Sequence, residues 1–210
     1  MEIGLFPLGV ALVPGELLPL HIFEERYKDL VADCRERGAP FALLYADDGG
    51  AREVGCTANV VDVVERFADG RMNIVVEGLE VVRVVEMTRG RSYMTGVVEP
   101  ARDEPGGEAS GEQAAAALDL YRRVAELSGA DAELEPGASP VSYAIAARID
   151  FAAAEKQRLL ELRSERERLA TLGVLLQRGM ERLIAAQEVA RRAQGNGKVG
   201  RPGPGEPPSA

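Results

Sequence analysis

The chain has 210 residues, of which 28% are charged, with a formal net charge of −9 and an isoelectric point near 4.9. This length provides enough material for a hydrophobic core in one sizeable domain or two small ones. The acidic balance argues against a general nucleic-acid binder, because attraction to phosphate groups requires a basic surface.

The first feature along the chain is an apolar stretch over residues 5–27, LFPLGVALVPGELLPLHIFEERY. Its prolines and glycines exclude a membrane-spanning helix, because each proline removes a backbone donor and clashes with the preceding helical turn. The stretch instead predicts two short buried extended segments joined by a turn at Pro14-Gly15. The charged residues that follow predict an amphipathic helix from Glu24 to Arg37, which ends at Gly38.

Residues 54–100 predict a sheet of bent strands. The alternation of apolar residues changes phase after Val60, which indicates a β-bulge there. Asp69-Gly70 predicts a hairpin with a type I′ turn, in which both central residues have positive φ. Gly78 predicts a second bend, and Tyr93 to Glu99 forms the last strand. Bent strands in a small sheet favour a curled, partly closed barrel.

A linker rich in proline, glycine and acidic residues covers residues 100–111, and helical periodicity follows it. We expect helices over residues 113–127, 139–149 and 153–162, the second with Ser139 as its cap and Pro140 at its first position. A fourth helix begins at Ser164 with a capping box to Glu167. Its apolar stripe is predicted to be core: Leu169, Leu172, Leu176, Met180 and Leu183. We therefore divide the chain into a β-subdomain (1–108), a helical subdomain (109–193) and a disordered tail (194–210).

Four blocks of the sequence, in the same order, resemble the amino-terminal domain of Lon proteases, a substrate-binding module that also occurs in cereblon and as a free-standing protein. The blocks are residues 5–27, PFALLY at 40–45, residues 54–84, and KQRLLEL at 156–162 followed by SERERLATLGVLL. The resemblance implies an α+β fold. It would have a PUA-like β-pseudo-barrel with one embedded helix, followed by an α-helical bundle subdomain that ends in a long helix.

Catalytic signatures of a complete Lon protease are missing from these residues. An ATPase phosphate-binding loop would read G-x-x-x-x-G-K-[ST], but the only Gly-Lys pair is Gly197-Lys198, followed by valine. No Ser-Lys protease module is identifiable before Ala210. Cys34 and Cys56 give no metal-ligand or disulfide pattern, and no basic signal-peptide start precedes Arg26. We therefore expect a cytoplasmic, non-enzymatic protein with no cofactor and no metal site.

The resemblance implies a protein that binds unfolded or degron-bearing polypeptide segments, as an adaptor in protein quality control that works with protease or chaperone subunits. The candidate binding residues surround the first proline-glycine turn: Leu12, Pro14, Leu17, Leu18 and His21. Two alternatives stay open at this point. One is a PUA-like barrel that binds a small molecule or nucleic acid, and the other is an accessory subunit of an ATP-dependent protease. The sequence leaves the oligomeric state open, a homo-oligomer included.

Overall fold

The chain folds into a seven-stranded sheet with one helix between its strands, followed by four helices in succession. The computed structural model describes residues 1–134 and 140–196. The elements are β1 (Glu2–Leu8), β2 (Leu17–Ile22), α1 (Glu25–Arg37), β3 (Phe41–Asp47), β4 (Gly50–Ala51), β5 (Val54–Arg66), β6 (Met72–Thr88), β7 (Thr95–Pro100), α2 (Gly111–Ser128), α3 (Val141–Ala146), α4 (Ala153–Glu161) and α5 (Glu165–Asn196). The predicted α+β fold, with its embedded helix and long last helix, is confirmed.

Strand pairing closes the sheet into a pseudo-barrel. The strands follow the order β1-β7-β6-β5-β3-β4, and β1 also pairs with β3 in parallel, with Leu5 opposite Ala42. This pairing joins the two ends of the main sheet. Helix α1 contributes Tyr27, Leu30 and Val31 to the barrel core. Strand β2 lies outside the ring and pairs only with β6 within the described residues.

The long β5–β6 hairpin carries the predicted bulge, since its register shifts between Val60 and Asp62 and at two further points. The predicted type I′ turn is wrong. Gly70 has a φ of 83°, but no described residue other than glycine has a positive φ, so Asp69 keeps a right-handed backbone. The Gly70 N–H donates to Phe67 O at 3.0 Å, which defines a type I turn followed by a left-handed glycine. The extra residue in this loop removes the need for a second positive φ.

Gly78 allows a close approach of two backbones. The loop that precedes β2 lies against it: Gly15 N–H donates to Gly78 O at 2.8 Å, and Gly78 N–H donates to Glu16 O at 2.9 Å. A Cβ at this position would lie 2.2 Å from Val13 O. The β5–β6 register also slips opposite this point, so the sequence located the irregularity correctly. Strand β6 continues through this irregularity to Thr88.

The helical predictions agree with the structure to within a few residues. Helix α3 begins at Val141, so Pro140 precedes the first helical residue instead of occupying it, and the helix ends three residues before the predicted Ile149. The predicted cap, Ser139, lies outside the described residues. Helix α5 continues to Asn196 and includes the first residues of the predicted tail, whereas residues 197–210 are outside the described part of the chain. No described helix has both the length and the apolar composition needed to cross a membrane.

A second hydrophobic core joins the helices to the barrel. Ala11 and Val13 of the loop before β2, together with Val54 and Val81 of the sheet, pack against residues of α2 to α5. In the predicted α5 stripe, Leu169, Leu172 and Leu176 are buried. Met180 and Leu183 are half-buried. The loop before β2 is therefore held between the barrel and the helices, and this position determines where β2 begins.

Candidate polypeptide-binding face

Strand β2 presents an apolar row to solvent. Side chains alternate along a strand, so Leu20 and Ile22 enter the barrel core while Leu17, Pro19 and His21 point outward. Leu17 is 61% exposed, and Phe23, which continues the same alternation past the end of the strand, is 60% exposed. Exposed apolar side chains that lie together are typical of interaction surfaces.

Three strands extend this row into a flat surface, because residues directly opposite one another in a sheet share a face. The pairing of β2 with β6 and of β6 with β5 defines three rows, which we call the outer face: Leu17, Glu77 and Asn59; Pro19, Val75 and Asp62; His21, Asn73 and Glu65. All nine side chains are exposed or half-exposed. At these paired positions the surface changes from mainly apolar on β2 to polar and acidic on β5, although the bulge residues Val61 and Val64 of β5 are also exposed.

Hydrogen bonds order the third row. The Asn73 amide nitrogen donates to Glu65 Oε2 at 3.1 Å, and the Asn73 amide oxygen lies 2.7 Å from His21 Nδ1. Since the amide nitrogen is directed to the carboxylate, the amide oxygen must be the acceptor and His21 Nδ1 the donor. This row therefore holds the imidazole in one orientation at the solvent-exposed edge of the face.

Aromatic rings border the outer face at the His21 end. The His21 ring stacks on Phe23 with centroids 6.0 Å apart and meets Phe67 edge-on at 6.1 Å. The Arg71 guanidinium lies 5.3 Å from the centroid of Phe67 and forms an ion pair with Asp69 at 2.7 Å. Sequence reasoning did not select Phe23 or Phe67. The alternation that continues past β2 could have identified Phe23, whereas Phe67 depends on the geometry of the hairpin turn.

The five residues selected from the sequence take different positions. Leu17 and His21 belong to the outer face, and Leu18 is half-buried against the barrel core. Leu12 is fully buried in that core, and Pro14 is buried at the turn. Leu12 lies in the barrel core and Pro14 lines a surface cavity with Leu79 and Tyr143, so neither belongs to the outer face.

The outer edge of β2 has no strand beside it in the described parts of the chain. In an antiparallel ladder every second residue directs its backbone groups away from the partner strand. Pro19 lies on this strand, which agrees with the restriction of proline to edge strands, and it limits pairing with a further strand. The side chains of the outer face are therefore a better contact surface than the backbone of the edge.

A buried ion pair fixes the start of β2. Lys156 Nζ of α4 donates to Glu16 Oε1 at 2.5 Å, and both side chains are only 9% exposed. The other oxygen of Glu16 accepts from Val13 N–H at 3.1 Å. Leu17, the next residue, is the first of the outer face. The helical subdomain thus anchors the strand that carries the apolar row.

A small polar cavity of about 120 Å³ lies beside helix α1, lined in part by Asp33, Arg91 and Tyr93. The Tyr93 hydroxyl donates to the Asp33 carboxylate at 2.6 Å, and Arg91 forms an ion pair with the same carboxylate. The pKa of Asp33 is lowered, and the hydrogen bond from Tyr93 is the largest cause. These groups already satisfy one another. The cavity is also well below the roughly 300–1,000 Å³ of sites for drug-sized ligands.

Comparison with known proteins places the fold in a defined class. The family model described as the substrate-binding domain of the ATP-dependent protease La (LON) matches residues 2–178, so the chain belongs to this family. The described residues therefore form a module of a known class, whose family description names substrate binding.

Relatives and solved structures agree with the family. A Lon protease 2 of Syntrophobacter fumaroxidans is 23% identical over 92% of the chain, and the chain spans about a quarter (26%) of that relative's length. A Lon N-terminal domain protein from Xanthomonas campestris has 27% identity and a TM-score of 0.62, with 82% of this chain and 96% of that one covered. The N-terminal domain of a Mycobacterium avium complex Lon protease is similar in fold, with a TM-score of 0.67 at 18% identity, and 84% and 98% of the two chains are covered.

Proposed function

We propose that this protein binds polypeptide segments, unfolded or degron-bearing, on its outer face without catalysing a reaction on them. The observation that carries the proposal is the exposed apolar row of β2, on a domain whose family is defined by substrate binding. A segment that covers Leu17 and Phe23 removes their apolar surface from water, and this burial is the main favourable contribution to such binding.

We expect this binding to be weak. The face is flat and partly polar, and binding must also offset the entropy lost when a disordered segment becomes ordered. Weak binding to many segments is what an adaptor requires, because clients must also be released. We propose that protease or chaperone subunits are the further partners that receive these clients.

The test is the aggregation of a chemically denatured client protein, measured by light scattering with stoichiometric amounts of this protein. We expect the wild type to suppress aggregation and the Leu17→Asp/Phe23→Ser variant to lose most of this suppression. Both side chains are largely exposed, so the variant is expected to fold, which thermal unfolding followed by circular dichroism would check.

The matched control is Val85→Asp/Met87→Ser, which changes two strand residues of similar exposure, 59% and 56%, outside the outer face. Equal loss of suppression in both variants would point to general surface hydrophobicity and reject the outer face as the site. Indistinguishable aggregation with and without the wild-type protein would reject polypeptide binding itself.

A further inference from the structure

Three of the nine side chains of the outer face are carboxylates, two of them on β5, the strand farthest from β2, and one directly opposite Leu17. Asp62 and Glu65 belong to β5 and Glu77 belongs to the middle strand, β6. The nine residues of the face include no lysine and no arginine; the nearby Arg71 is paired with Asp69, and Arg35 lines a cavity together with Asn59 and Glu77. An apolar column and an acidic column therefore run side by side across three strands.

The spacing of these columns matches an extended polypeptide. Neighbouring strands lie about 4.8 Å apart, so the β2 and β5 columns are separated by about 10 Å. A segment in the polyproline II conformation, a major conformer of unfolded chains, advances about 3.1 Å per residue with three residues per turn, so its side chains three positions apart point to the same side and lie about 9 Å apart. A segment that crosses the face perpendicular to the strands can place one side chain on Leu17 or Pro19 and another, about three positions further on, beside Asp62 or Glu65.

We propose that the outer face selects segments in which an apolar or aromatic residue is followed, about three positions later, by lysine or arginine. This substrate class rests on the function proposed above and adds charge complementarity to it. Basic side chains meet carboxylates on β5, while acidic segments meet like charges that repel them. Burial of the apolar column provides most of the affinity, and the acidic column determines which segments bind more tightly.

Fluorescence anisotropy with short labelled peptides tests this selection. The reference peptide carries phenylalanine and lysine at the stated spacing on a serine and threonine background. Two matched peptides replace the lysine with glutamine or glutamate. A third keeps the same composition but places the lysine directly next to the phenylalanine. The one lysine of the reference peptide pairs with one carboxylate at a time, and an exposed ion pair changes Kd by about two- to fivefold, so we expect the reference peptide to bind Asp62→Asn/Glu65→Gln/Glu77→Gln about two- to fivefold more weakly than the wild type.

A second triple variant, Glu36→Gln/Glu99→Gln/Glu126→Gln, makes the same change in net charge at exposed carboxylates outside the outer face. We expect it to bind the reference peptide as the wild type does. Equal losses in the two triple variants would attribute binding to the overall negative charge and overturn the proposal.

Equal affinity of the wild type for the lysine, glutamine and glutamate forms would also overturn the selection, while leaving polypeptide binding intact. Equal affinity for the spaced and adjacent forms would reject the crossing geometry. If none of the peptides binds, and the wild type also fails to suppress aggregation, both the selection and the proposed function are refuted.

Discussion

Arg168 is the most deeply buried charged side chain among the described residues, with 1% exposure, and its removal should destabilise the protein severely. Its guanidinium forms two bonds with Asp103 at 2.6 and 2.5 Å and two with Glu165 at 2.9 and 3.1 Å. It also donates to Ser142 Oγ at 3.1 Å and Leu162 O at 3.0 Å. This one side chain therefore ties the linker after the barrel to α3 and α5.

The electrostatic surroundings keep this group charged. Burial lowers the pKa of Arg168, but the hydrogen bonds and the charge of Asp103 outweigh it, so that the pKa is raised overall. The guanidinium also lies 4.7 Å from the ring centroid of Tyr143, whose own pKa burial raises to about 12. Every polar group of the cluster depends on the guanidinium for part of its hydrogen bonding, so truncation leaves several of them without a partner.

We expect Arg168→Met to lower the free energy of unfolding by about 3–5 kcal/mol, the usual cost of removing one partner from a buried ion pair. For a chain of this size that corresponds to a loss of very roughly 6–20 °C in Tm at about 2–4 °C per kcal/mol. Urea titration followed by circular dichroism measures the change. Arg178→Met, an exposed arginine on the same helix, is the control and should change stability by less than about 0.5 kcal/mol. A loss below about 1 kcal/mol for Arg168→Met would refute the view that this cluster holds the two subdomains together.

Two further predictions concern the loop before β2, and urea titration checks both. Lys156→Met should lower the free energy of unfolding by about 3–5 kcal/mol, because it leaves the carboxylate of Glu16 buried without its partner. The double variant Lys156→Met/Glu16→Gln should recover much of this loss. No recovery would contradict the reasoning. Gly78→Ala should lower the free energy of unfolding by more than about 2 kcal/mol, because its Cβ would lie 2.2 Å from the backbone oxygen of Val13. Gly173→Ala on α5, where a Cβ would have nothing within 4 Å, should raise the free energy of unfolding by about 0.5–1 kcal/mol. Similar effects of the two alanines would show that the loop moves away freely.

Local patterns in the sequence predicted most of the elements, since the periods of strands and helices depend on near neighbours. Residues 25–37 and the α5 stripe are examples. The parallel pairing of β1 with β3 joins segments far apart in the chain, and no local pattern encodes it. The type of the Asp69-Gly70 turn also escaped prediction, because one extra residue in the loop changes the φ that Asp69 needs.

The candidate site was predicted only in part, for the same reason. The alternation along β2 identifies Leu17 and His21 as neighbours on one side of a strand, but it does not say which side faces the core. Asp62 and Glu65 reach the outer face through bulges that shift the register of β5, and a sequence pattern does not determine such shifts. The family resemblance directed attention to this segment, whereas the rows across three strands required the structure.

The residues around the first proline-glycine turn separate into buried residues that anchor the loop and exposed residues that belong to the outer face. Gly78 receives the loop on one side and Lys156 pairs with Glu16 on the other, although Lys156 lies 140 residues further along the chain. A strand that exposes apolar side chains at the edge of a sheet would be prone to detach if nothing fixed its start. Because the ion pair directly precedes Leu17, helix α4 holds the apolar row in place, and in the function we propose a flexible segment meets a row that is already ordered. The rigidity of the face then reduces the entropy lost on binding, so that only the client segment must become ordered.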